Sequence, residues 1–275
     1  MLYFTGDIHG DIEKIRSEVI KNMTEKDVFL VAGDFGYSWN KRYEIKWNGF
    51  SHNVKGKILI TPGNHENYKT LYAYPQVEIY GGKAYKMNEN TFYLKHGEIF
   101  DINGIKILSY GGATSIDKAD RYLNISWWPQ EETSHADYLN AISNLEEHNW
   151  NIDILLSHTS DTALISALYF DYKKDNVSNQ IFSLKEELKN HNFNKEYLNI
   201  FGHLHHQFII DNNICLYHNI ISVARKNNKL VYDYVINKNL LPNFKCTECK
   251  RFSSCPAGFN MESAVCRLMN EKRGR

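Results

Sequence analysis

The sequence predicts an α/β fold, and three observations carry the prediction. Short apolar runs of strand character are interspersed with amphipathic helical stretches. Each of the first three runs ends in a turn that contains glycine, and each turn carries a metal-ligating type of side chain: Asp7 and His9, then Asp34, then Asn64 and His65. In α/β proteins the crevice outside the carboxyl ends of the strands is where ligands bind, so the same pattern that defines the class also points to a site.

Taken in order, Leu2-Tyr3-Phe4 is a short strand that turns at Gly6. Ile12, Ile15, Val19 and Ile20 recur at helical spacing, with Glu13, Lys14, Arg16, Glu18 and Lys21 on the other face, which predicts a helix packed on a sheet. Val28–Val31 and Lys57–Ile60 are buried strands, ending in Ala32-Gly33-Asp34-Phe35-Gly36 and Thr61-Pro62-Gly63-Asn64-His65-Glu66. From about Tyr68 to Tyr110 the chain is aromatic and glycine-containing and reads as sheet rather than helix, with a hairpin through Asn103-Gly104. Ser115 to Glu132 has no period and reads as a long loop, of the kind that is often functional. His135 to His148 is helical, Ile152 to Leu156 is a strand ending at His158, and Phe182, Leu184 and Leu188 mark another helix. Tyr197–Phe201 is a strand ending in Gly202-His203-Leu204-His205-His206; a hairpin through Asp211-Asn212-Asn213 and a closing strand from Leu230 to Ile236 follow.

Composition sets wide bounds. The 275 residues suffice for one large domain or a domain with an appendage, and 43% hydrophobic and 23% charged residues are ordinary for a soluble globular protein. Lys plus Arg equals Asp plus Glu at 32 each, so net charge argues for neither a nucleic-acid partner nor a membrane surface. No apolar stretch is long enough to span a bilayer and no secretory signal opens the chain, from which a cytoplasmic location is expected.

Singly, each of these polar residues could be a helix cap or a turn residue. For Asp7 and His9 alone, capping or loop hydrogen bonding is the simpler reading, although two residues apart in extended chain they would face one way and suit a divalent transition metal. Joint occurrence alters the balance, because five strand-end segments supply Asp7, His9, Asp34, Asn64, His158, His203 and His205.

The order Gly6-Asp7-Ile8-His9-Gly10, Gly33-Asp34, Gly63-Asn64-His65-Glu66, His158 and Gly202-His203-Leu204-His205 resembles the calcineurin-like metallophosphoesterases, over roughly Met1 to Phe208. The resemblance implies two packed mixed β-sheets flanked by helices, an αββα sandwich, with metals at the strand ends. By position it implies that Asp7, His9, Asp34 and His205 hold one divalent ion and Asp34, Asn64, His158 and His203 another, with Asp34 bridging. Two such ions about 4 Å apart clamp a phosphoryl oxygen and acidify a water, giving hydroxide for in-line attack. His65, not itself a ligand, would stabilise the transition state or protonate the leaving group. Mixed nitrogen and oxygen ligands favour Mn, Fe, Co, Ni or Zn.

Protein-phosphatase members of the superfamily follow the second motif with an Asp-Arg pair that grips phosphate; here Phe35-Gly36-Tyr37-Ser38-Trp39 follows. Gly111-Gly112-Ala113, Asp117-Lys118, Arg121 and Trp127-Trp128-Pro129 are similar instead to a little-characterised bacterial and phage branch. Arg121 or Lys118 could replace the missing arginine as a substrate contact beside Asn64, or could pair on the surface with Asp117 or Asp120. His52, His96, His135, His148, His191 and His218 lie at no strand end with a matching partner and read as structural or exposed.

A change of texture after Pro242 divides the chain into a catalytic domain, residues 1–240, and a Cys-rich segment, 241–275. Cys246, Cys249, Cys255 and Cys266 suit a structural tetrahedral zinc site, an iron–sulfur cluster, or simply reduced thiols. From Lys245 to Arg275 there are seven basic and three acidic residues, a small excess that could hold nucleic acid or be a solvated tail. The expected function is hydrolysis of phosphate esters, with a phosphodiester, nucleotide or nucleic-acid substrate ahead of a phosphoprotein. The alternative is a non-catalytic metal-containing module that binds a partner through its surface and tail.

Overall fold

Runs such as Val28-Phe29-Leu30-Val31-Ala32 are apolar at every position, and a strand of that kind must be covered on both faces. The computed structural model, which describes residues 1–168, 175–191 and 196–236, meets that demand with four layers. In chain order the elements are β1 (Leu2–Thr5), α1 (Lys14–Lys21), β2 (Val28–Ala32), α2 (Lys41–Ser51), β3 (Lys57–Thr61) and the single turn α3 (Tyr68–Leu71). Then come β4 (Gln76–Ile79), β5 (Gly82–Lys86), β6 (Thr91–Leu94), β7 (Ile99–Ile102) and β8 (Ile105–Tyr110). A loop with two 3₁₀ turns, Lys118–Asp120 and Pro129–Glu131, leads to α4 (His135–Glu147), β9 (Ile154–Ser157), α5 (Thr162–Leu168) and α6 (Asn176–His191). The chain continues through β10 (Leu198–Phe201), β11 (Phe208–Ile210), β12 (Asn213–Cys215), β13 (Ile220–Lys226) and β14 (Lys229–Ile236).

Two mixed sheets result, in the orders β14-β13-β1-β2-β3-β6-β5-β4 and β11-β12-β10-β9-β8-β7. Strand alternation sorts the core. Val28, Leu30 and Ala32 point between the sheets to meet Phe100, Ile107, Ile154 and Ile200, while Phe29 and Val31 point outward to Ile20 and Trp47 of α1 and α2. On the second sheet Leu108, Tyr110 and Leu155 face outward to Ala141 and Leu145 of α4 and to Ile181 and Leu184 of α6. The order helix, sheet, sheet, helix is the architecture expected.

The β7–β8 hairpin turns at Asn103 and Gly104, both at positive φ of 55° and 76°, as a tight two-residue turn requires. Four elements lie outside the sequence reading, the first being α3, which is a helical turn at the start of the stretch expected to be sheet because the Asn67 side chain accepts from Thr70 N at 3.0 Å and caps it. Helix α2 has little amphipathic character, with Trp47 and Ser51 its buried residues, but Asn40 caps it by accepting from the Arg42 and Tyr43 N–H groups. Helix α5 opens on Asp161, whose side chain accepts from Leu164 N at 2.9 Å. Strand β13 pairs β14 through a turn at Asn227 and Asn228, both at positive φ. No helix of the described residues is long and apolar enough to cross a membrane. The four clustered cysteines, Cys246, Cys249, Cys255 and Cys266, lie outside the described residues; Cys215 is buried.

Candidate metal centre

Parallel pairing brings the strand ends level. Thr5 is opposite Val31 and Ala32 opposite Thr61 in one sheet, and Tyr110 is opposite Ser157 in the other, so the turns that follow share one rim. One backbone bond and one side-chain bond join the two sheets there: Gly112 N donates to Pro62 O at 2.7 Å, and His158 Nδ1 lies 2.8 Å from Ala32 O.

The chain is not extended at the candidate ligands, contrary to the spacing argument for Asp7 and His9. Asp7, His9, Asp34, His203 and His205 all have left-handed backbone, with φ of 47°, 50°, 50°, 64° and 52°. Such a conformation costs a residue with a Cβ about 1–3 kcal/mol and persists only where the surroundings impose it. Here His9 N donates to Asp34 O at 2.7 Å, and His203 N donates to the Asp7 carboxylate at 3.0 Å. Both aspartates sit immediately after glycines because space is short: a Cβ on Gly6 would collide with the Leu216 carbonyl and one on Gly33 with the His158 ring, and a Cβ on Gly202, before His203, would collide with the Asp7 carboxylate.

Two groups of donors form around Asp34. In the first, ligand atoms of Asp7, His9, Asp34 and His205 all lie within 4.8 Å of one another. His9 Nε2 is 3.6 Å from Asp34 Oδ2 and 3.9 Å from Asp7 Oδ1; His205 Nε2 is 3.7 Å from Asp7 Oδ1 and 3.0 Å from His9 Nε2. In the second, His158 Nε2 lies 3.3 Å from Asp34 Oδ1 and 2.9 Å from Asn64 Oδ1, with the His203 ring centred 5.0 Å from that of His158. Asp34 thus turns one oxygen to each group. The donor set fits divalent ions: His158 Nδ1, beside a carbonyl, has to carry its hydrogen, which leaves Nε2 as a lone pair facing two oxygen acceptors. A proton on that nitrogen or a cation satisfies the arrangement.

Electrostatics show the same demand. Burial pushes the Asp7 carboxyl up to about 8, with the Asp34 charge adding to the effect. Burial also opposes ionisation of Asp34, but His158, His65 and His9 together hold it well below the usual carboxylate range. His158 is carried the other way: burial would lower it, and Asp34, Asp7 and the Ala32 carbonyl raise it to about 9. Burial lowers His9, takes His203 down to about 3 and His205 to about 4, so these rings are neutral, the form that ligates metal. Tyr217 stacks on the His205 ring at 4.7 Å and 11°, fixing its plane.

His65 stands beside the first group, its ring 5.5 Å from that of His9 and its N–H donating to Asp34 Oδ1 at 2.8 Å. Arg121 Nη2 hydrogen-bonds His65 Nδ1. The same Nη2 lies 3.3 Å from His65 Nε2; because a guanidinium only donates, the closer Nδ1 is assigned as the acceptor and Nε2 as the nitrogen that carries the hydrogen of the neutral ring. Arg121 also pairs with Asp117 at 3.2 Å, so the loop salt bridge and the placement at the site occur together. Lys118 is not brought to this cluster; its ammonium lies 4.2 Å over the Trp127 ring and 3.5 Å from Glu132.

Four supporting residues were not assigned roles by the sequence. Glu66 is buried and accepts from Phe35 N, Ser38 Oγ and Tyr93 OH at 2.8, 3.1 and 3.0 Å, and Trp39 donates to the His65 carbonyl. Ser115 and Glu131 complete the set, hydrogen-bonded to each other at 2.9 Å. An acidic residue directly after His65 was the one local signal; the others depend on partners distant in the chain.

A family model described as calcineurin-like phosphoesterase matches residues 2–220, and the chain belongs to that family, whose members are dinuclear-metal-dependent phosphoester hydrolases. Among solved structures, a phosphopantetheinyl hydrolase from Mycobacterium tuberculosis matches at 13% identity and a TM-score of 0.41, over 78% of this chain and 87% of that one. No curated protein matches.

Proposed function

We propose that the chain hydrolyses phosphodiesters or nucleotide-type esters rather than phosphoproteins, with water as nucleophile and no covalent enzyme intermediate. The observation that carries this reading is Asp34, placed with Oδ2 toward His9 and Oδ1 toward His158, as a bridging ligand between two sites has to be. Asp7, His9, Asp34 and His205 would hold one ion, and Asp34, Asn64, His158 and His203 the other. When bound, the pair supplies Lewis acidity toward phosphoryl oxygens and acidifies a water. Mn, Fe, Co, Ni and Zn all suit these ligands.

His65, with hydrogen on Nε2, is positioned as the group that donates to the leaving oxygen. Arg121 adjoins it and would neutralise phosphoryl charge, a task that Lys118 would perform only after leaving Trp127 and Glu132. The ester preference rests on the absence of an arginine after Asp34 and on Trp39, a half-buried ring centred 6.4 Å from that of His9 and able to pack against the organic part of an ester. Residues 1–240 form the catalytic unit in this reading, and 241–275 a separate metal-binding segment in a cytoplasmic protein.

The test compares bis-p-nitrophenyl phosphate, p-nitrophenyl phosphate, nucleotides and a phosphopeptide, with Mn²⁺ and after chelation. Diester or nucleotide turnover that disappears with chelation and in Asp34→Asn is expected. Turnover of the phosphopeptide alone would reverse the substrate assignment, and no turnover with any divalent ion would favour the partner-binding alternative.

A further inference from the structure

The Ser115 side chain is buried, and its hydroxyl is saturated with protein partners. Its oxygen accepts from Asn64 Nδ2 at 3.0 Å and from Arg121 Nη1 at 2.9 Å, while Glu131 Oε2 lies 2.9 Å away. A hydroxyl has one hydrogen and two lone pairs. An amide nitrogen and a guanidinium can only donate, so both lone pairs are taken and the serine hydrogen must point at Glu131. Glu131 is itself fixed, because its other oxygen accepts from Ser115 N at 2.9 Å.

Two consequences follow from one hydroxyl. With its NH₂ committed to Ser115, the Asn64 amide has a single orientation, in which Oδ1 faces His158 Nε2 at 2.9 Å. With one guanidinium nitrogen on Ser115, Arg121 is held so that the other reaches His65. The loop Ser115–Glu132 thereby touches a candidate ligand and a candidate substrate contact through the same atom.

We propose that Ser115, oriented by Glu131, is a positioning residue that sets the ligand oxygen of Asn64 and the guanidinium of Arg121 together. The inference rests on Asn64 as a metal ligand and Arg121 as a substrate contact. It goes further by making metal affinity and substrate affinity depend on one side chain that contacts neither metal nor ester.

The full-length protein is stripped of metal and compared with Ser115→Ala, Ser115→Thr and Glu131→Gln in three measurements: Mn²⁺ binding by calorimetry, KM and kcat on bis-p-nitrophenyl phosphate at saturating Mn²⁺, and thermal unfolding. Ser115→Ala is expected to weaken one of the two Mn²⁺ steps about 10–100-fold while leaving the other unchanged. It should also raise KM about tenfold with a smaller change in kcat. Ser115→Thr, which keeps the hydroxyl, should restore both, and adding Ser115→Ala to Arg121→Ala should raise KM no further. If Ser115→Ala does not fold, Glu131→Gln serves in its place and should move the same metal step and KM together. A folded Ser115→Ala with lowered thermal stability but parental Mn²⁺ binding and KM would make the role merely structural and overturn the proposal. A parent that takes up fewer than two Mn²⁺ ions would overturn the dinuclear reading and this inference with it; two ions in the parent and unchanged binding in the variant would overturn this inference alone.

Discussion

Asp34 and His65 are hydrogen-bonded neighbours with separable duties, and their variants should differ accordingly. In the proposed mechanism His65→Ala removes a proton donor and no ligand, so kcat should fall about 10²–10⁴-fold while two metal ions per chain are retained, measured by metal analysis beside the kinetics. Loss of metal in that variant would place His65 among the ligands instead. Protonation gives a second expectation. Metal-free Asp7 is raised to about 8 and His158 to about 9, so near neutral pH both groups hold protons that a cation must displace. Metal affinity should therefore rise as pH climbs through 8 toward 9 and then level off. Calorimetry in buffers of different ionisation enthalpy would register the released protons, and binding without proton release at pH 7 would contradict these assignments. The residue types of the site were readable in the chain. Their left-handed backbone was not, because Asp7, His9 and Asp34 owe it to hydrogen bonds with turns from other strands.

At the level of elements, Glu66 ties the turn after β2 to the turn after β3 and to Tyr93 on β6. Burial, aided by the Asp34 charge, raises its carboxyl to about 7, well above its ordinary value. Between the ordinary carboxylate range and pH 7 the folded chain then binds more protons at Glu66 than the unfolded chain does. Its contribution to stability is greatest in acid and is lost as pH rises through 7. In chelator-treated protein, urea midpoints at pH 5 and pH 7.5 should separate more for the parent than for Glu66→Gln; equal separations would remove Glu66 from the account. Element by element, legibility followed packing. Strands buried on both faces and the amphipathic helix α4 were visible as patterns. Helix α2 was not, since only Trp47 and Ser51 on it are buried and its definition comes from the Asn40 cap. The local mark of strand β13 in the sequence is the Asn227-Asn228 turn beside it, a hairpin signal.

For the whole molecule, the candidate ligands come from the ends of both sheets, so a bound cation joins the two halves of the sandwich. An ion that binds only the folded chain stabilises it by about 2.7 kcal/mol at a concentration a hundred times its Kd. Mn²⁺ should accordingly raise the unfolding temperature by several degrees and a chelator should lower it, while an Asp34→Asn variant should respond to neither; an identical response in that variant would mean that the stabilising ion binds elsewhere. The sequence by itself determined the class of fold, the family and the identity of seven candidate ligands, because apolar periodicity and short glycine-flanked motifs are local properties of the chain. Tertiary structure alone decided how those residues face one another. Asp34 is 31 positions from His65 and 124 from His158, and Ser115 serves Asn64, Arg121 and Glu131 at once. Only the closing of two sheets on one rim makes such contacts, and a single hydroxyl shared by three partners leaves no pattern along the chain.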